Sequence, residues 1–224
     1  MVTTDFVSRT YRKATGKLPT FTSGSTKWLK ILSIANEYID KWAREPGVDW
    51  ASLASRNYSI GTVTATDSFT IPAAVRLISP YEGDVVRITH TDGVAYTDYT
   101  TIPVEKLKEF YENGGNYCAQ QGANLIFTRA FTATDPQFGG TIRIPAYLFA
   151  TNIVNDADVI PVDDPEWLVL MTAAEFVSSD QTRLYRYPGL IKEANEVMGR
   201  MKDDNDAQNS EINRPWTPLA QNWY

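Results

Sequence analysis

The chain has 224 residues, 43% hydrophobic and 21% charged, with a net charge of −6, which excludes wholesale disorder and leaves enough apolar content for a sizeable core. No run approaches the roughly 20 apolar residues of a membrane span, and an acidic chain disfavours generic phosphate binding. One cysteine, Cys118, excludes an internal disulfide and a cysteine-rich metal site.

The N-terminal "MVTTDFVSRTYRKATGK" lacks the apolar core of a secretory leader, so synthesis in a cytoplasm is expected. Its first residues read as a short helix, with Thr4 as cap, Gly16 as terminator, and Phe6, Val7 and Tyr11 on one side. In "STKWLKILSIANEYIDKWAREPG", Trp28, Leu32, Ala35, Ile39 and Trp42 recur in steps of three and four, predicting a one-sided helix over 25–44. Ser25 or Thr26 caps it, and "EPG" stops it.

From about residue 57 to 150 the runs are short and rich in Val, Ile, Thr, Tyr and Phe, broken by Gly, Pro, Asp and Asn. That pattern predicts an antiparallel β-domain, with "HTDGVAY" as one hairpin turn and "IPVEKLKEFYENGG" as a small helix within it. Helix returns with Asp164 as cap, Pro165 in the first helical position, and Trp167, Leu170, Met171, Ala174 and Val177 as the buried stripe. After "RYPG", Leu190, Ile191, Ala194, Val197, Met198 and Met201 carry a second helix. The expected fold class is therefore α+β. A small helical bundle (N-terminal residues 1–56 and a C-terminal hairpin over 151–204) carries an inserted antiparallel β-domain over 57–150, and an extended C-terminal arm follows over 205–224.

Catalytic chemistry has little to stand on. His90, the only histidine, lies beside a turn, and no G-x-S-x-G elbow accompanies it. Pairing it with Cys118 is the weaker reading, because a lone thiol is usually a small buried side chain. Asp156, Asp158, Asp163 and Asp164 lack calcium-loop spacing, and no glycine pattern makes a nucleotide cradle. The expectation is no enzyme, no catalytic residues, no metal and no cofactor.

The segments "ILSIANEYIDKWAREPGVDWASL", "SIGTVTATDSFTIP", "EGDVVRI", "IPVEKLKEFY" and "DVIPVDDPEWLVLMTAAEFVSSDQTRLYRYPGLIKEANEVMGRMKDDN" resemble the head-to-tail adaptor (connector, neck) proteins of tailed bacteriophages. The resemblance spans roughly residues 25–206. It implies a virion structural protein in a homo-oligomeric ring, commonly of twelve copies, docked on the portal protein at the head–tail junction. Such a ring surrounds the DNA channel, lets the genome pass without specific binding, and meets the next neck or tail-completion protein. A tail-completion or terminator ring is the nearest alternative. Readings from other classes are a single-strand nucleic-acid binder and a hydrolase using the "DD" carboxylates.

Two features suit assembly. The tail "RPWTPLAQNWY" offers Trp216, Pro218, Trp223 and Tyr224 as partner-binding anchors after a polar run. Residues 1–44 hold eight basic and three acidic side chains, +5, and the remainder carries −11. Copies packing basic end to acidic side would meet through Arg9, Arg12, Lys13 and Lys17 on one face and Asp203 and Asp204 on another.

Overall fold

The computed structural model describes residues 1–79, 85–112 and 115–212. Its helices are α1 (Thr3–Thr15), α2 (Thr26–Ala43), α3 (Leu107–Glu112), α4 (Pro165–Ser178) and α5 (Tyr187–Ile212). Among the described residues these and eight strands make an α+β chain of two units. One comprises Met1–Ser52 and the chain from Ala150 onward; the other is Leu53–Phe149.

In the helical unit, α4 is buried on nearly every side, through Trp167, Leu168, Val169, Leu170, Ala173, Ala174 and Val177. A helix apolar all round needs neighbours all round, and α4 packs against α1, α2 and α5. The Asp164 side chain accepts from the Glu166 N–H at 2.9 Å, and Pro165 follows at the start, where its missing N–H costs nothing. Trp28, Leu32, Trp42, Trp167, Ala174, Leu190 and Val197 are buried, while Met171 is only half-buried. The indole of Trp50 stacks on Trp42 at 5.1 Å and donates to the Trp42 carbonyl at 2.7 Å, closing the exit of α2.

Helix α1 is a full member of this unit, beyond the three helices expected to pack together. Phe6, Val7 and Ala14 are fully buried. Thr4 is not its cap: Val2 occupies that position without a side-chain bond. Thr3 instead donates through both its N–H and its hydroxyl to the Asp158 carbonyl at 3.0 Å, and Val2 pairs with Val159. A distant backbone segment replaces the local cap. At the other end Gly16 takes a left-handed turn, φ 74°, with the Arg186 guanidinium so close that an added Cβ would meet it at 3.1 Å.

Helix α5 corrects two boundaries. It begins at Tyr187, so Pro188 and Gly189 lie inside its first turn rather than breaking the chain. It also continues to Ile212, so residues 205–212 are helix rather than extended arm. Asn205 is buried: its Oδ1 accepts from the Ala51 N–H at 2.8 Å and its Nδ2 donates to the Asp49 carbonyl at 3.2 Å. Asn209, one turn on, donates to the same carbonyl at 2.8 Å, and Lys202 pairs with Glu45. A polar run with little to bury is held by polar bonds to the 45–51 loop.

The second unit is a curled sheet of β1 (Ala54–Thr62), β2 (Ser68–Thr70), β3 (Val75–Ile78), β4 (Val85–Thr89), β5 (Tyr96–Thr101), β6 (Tyr117–Gln121), β7 (Asn124–Phe127) and β8 (Thr141–Leu148). The order is β1-β8-β4-β5-β6-β7-β2, with β3 also on β8. The sheet is mixed, not antiparallel, because β5 and β6 run parallel. A crossover containing α3 joins them, as parallel neighbours require. Alternating residues fill the interior, among them Ile142, Ile144, Val86, Ile88, Tyr99, Leu125 and Phe127. On β8, Pro145 has no N–H to give, and β1 carries its extra residue there, between Ser55↔Ala146 and Tyr58↔Ile144.

Candidate assembly interface

On α1, Arg9, Arg12 and Lys13 fall at i, i+3 and i+4, so they lie on one side of the helix, with Lys17 just beyond Gly16. Lys13 is committed within the chain, to Glu166 at 3.1 Å and Glu193 at 3.3 Å. Burial works against its charge, but the hydrogen bonds and fields of these two carboxylates outweigh it and hold the ammonium above its usual pKa. Its carbonyl accepts from Arg186 at 3.1 Å, which places a cation at the C-terminus of α1. Arg9, Arg12 and Lys17 are exposed and form no ion pair among the described residues.

The opposite sign is concentrated on α5. Glu193, Glu196, Arg200 and Asp203 share one side through steps of three and four, and the start of α4 adds Glu166. They line a groove of about 580 Å³ whose apolar floor is Leu170 and Val197. Glu196 and Asp203 make no ion pair among the described residues. A second groove of about 600 Å³ adjoins it through Glu196 and is lined by Tyr187, Pro188, Ile191, Lys192 and Asn195. Its residues follow Leu184 and Tyr185, the latter 74% exposed. The outer side of α5 is thus apolar at its start and acidic further along.

The residues singled out from sequence separate accordingly. Arg9, Arg12 and Lys17 form an available basic stripe, while Lys13 belongs to the groove's own ion pairs. Asp203 lines the groove; Asp204 is exposed but does not line it. Glu193 and Glu196 were not anticipated, although their spacing to Arg200 and Asp203 was available in the sequence. Trp216, Pro218, Trp223 and Tyr224 lie outside the described residues.

The other titratable candidates have structural duties. His90 Nε2 lies 2.9 Å from the Thr97 hydroxyl, across a turn in which Asp92 accepts from the N–H groups of Val94 and Ala95 at 2.9 Å. Those backbone bonds hold the Asp92 carboxyl below its usual range. Cys118 sits in the sheet core, its Sγ near the Thr100 carbonyl and Thr101 hydroxyl, and burial pushes its thiol up to about 12. Ser23 donates to Asp156 at 2.6 Å, Asp158 accepts from the N–H groups of Val154 and Asn155, and Asp164 caps α4. Asp163 bonds Ser52, yet burial raises its pKa.

No protein-family model matches the chain, and no curated protein matches it in sequence.

Proposed function

We propose that this protein is a head-to-tail adaptor of a tailed bacteriophage, a virion structural protein forming a ring below the portal and around the DNA channel. The observation that carries the reading is a basic stripe and an acidic groove of unmatched charge on one helical unit. Copies of a closed ring join through two complementary patches, and the stripe and the groove, which meet at Lys13, are such a pair. The resemblance of residues 25–206 to such adaptors supplies the location, and the absorbed histidine, thiol and aspartates fit a role in assembly rather than turnover. In this reading the aromatic tail, with Trp216, Pro218, Trp223 and Tyr224, docks on the portal or a neighbouring subunit.

The test is a nonsense mutation in the gene, followed by electron microscopy of the lysate and a reconstruction of complemented particles. DNA-filled heads lacking tails, and density for this chain at the neck in wild-type particles, are the expected results. Normal tail joining without the protein would overturn the proposal. Density at the far end of the neck, against the tail tube, would assign it instead to a terminator ring.

A further inference from the structure

The two faces can be matched residue to residue. Resting on the ring reading, we infer that α1 of one copy lies antiparallel along α5 of the next. Arg9 and Arg12 enter the groove beside Asp203 and Glu196, and Leu18 seats on Tyr187, Pro188 and Ile191. The occupant is a second copy of this chain because complementary surfaces of both kinds are present on every copy. Arg9, Arg12 and Lys17 supply cations without partners among the described residues; Glu196 and Asp203 supply carboxylates in the same condition.

The chain already shows the chemistry once, since Lys13 of α1 is held by Glu166 and Glu193 at one end of this groove. Spacing is compatible over the helical part: Arg9 and Arg12 stand about 4.5 Å apart along α1, and Glu196 and Asp203 about 10.5 Å apart along α5, a difference that two long arginine side chains take up by splaying. Leu18 lies beyond the end of α1, past the left-handed turn at Gly16. Leu18 is 67% exposed, an apolar residue next to the stripe and without cover of its own. The apolar groove of α5 supplies that cover, and the acidic one supplies counter-charge. Arg200 lies in the groove between Glu196 and Asp203 in sequence, and it repels a cation placed opposite it. That repulsion fixes the register.

The experiment uses charge reversal on the full chain, with association followed by sedimentation velocity. Glu196→Lys with Asp203→Lys, and separately Arg9→Glu with Arg12→Glu, should each weaken self-association at least about tenfold. Mixing the two variants should restore it, because each then offers the other two matched contacts. A second measurement captures weak contacts: Arg12→Cys with Glu196→Cys should give a ladder of disulfide-linked oligomers on oxidation, Cys118 being buried. Unchanged association in both reversed variants, failure of mixing to restore it, or the absence of a ladder would overturn the inference. The adaptor reading fails separately, on virion location. A chain at the neck without this contact would keep that reading and sink this one; rescue by mixing in a chain absent from virions would do the opposite.

Discussion

Asp135 shows how a single carboxylate organises a turn in the sheet unit. Arg129 grips it with two bonds of 2.8 Å, and Thr132 adds its N–H at 2.7 Å and its hydroxyl at 3.1 Å. The Arg129 bonds, and then that backbone donor, hold its pKa far below the usual carboxylate range. A folded pKa below the unfolded value stabilises the protein above the unfolded value, near pH 4, and that contribution is lost as the pH falls through the folded one. Asp135→Asn should therefore lower the thermal midpoint at pH 7, and the gap to wild type should narrow below about pH 3. A constant gap across a pH series of melting curves would show that geometry, not charge, does the work. Lys13 has the opposite sign. Its raised pKa means that its contribution is complete at neutral pH and fades only in strong alkali. With 40% of its side chain exposed, solvent limits that contribution to under about 1 kcal/mol.

At the scale of elements, the end of α5 is the instructive case. Removing the Asn205 amide strands the partly buried groups it serves, the Ala51 N–H above all, so Asn205→Ala should cost about 1 kcal/mol in denaturant unfolding. A chain ending at residue 204 should melt below one ending at 212. Equal midpoints for the two would mean that the Asn205 and Asn209 bonds contribute nothing. This also marks where sequence reading stops. The stripe of Trp28, Leu32, Ala35, Ile39 and Trp42 and the Asp164–Pro165 start were legible because helix period and caps are local. The extension of α5 was not, since Asn205 and Asn209 are satisfied by a loop more than 150 residues away in sequence. Parallel pairing of β5 with β6 was illegible for the same reason: strand runs reveal their faces but not their neighbours. Of the groove, Asp203 could be named from charge alone. Glu166, Glu193 and Glu196 gain meaning only when α4 and α5 lie side by side.

At the scale of the whole molecule, the net charge of −6 conceals a division that bears on the proposed ring around DNA. A ring that must let a genome pass needs walls that phosphate does not grip, since every neutralised phosphate adds to affinity. Among the described residues, Arg9 and Arg12 on α1 and Lys17 just beyond it form no ion pair. If all three met phosphate in the free subunit, the logarithm of affinity would fall against the logarithm of salt with a slope of about −2.7. Non-specific binding that weak should have a Kd no tighter than about 10 μM at physiological salt. Assembly should weaken it further, because the same arginines are then covered by the neighbour's Glu196 and Asp203 and the acidic excess remains. Fluorescence anisotropy with a labelled duplex, on the free chain and on assembled rings across a salt series, measures both. Submicromolar binding by the free chain, or a steeper salt slope in rings than in subunits, would mean that the basic stripe faces DNA rather than another copy.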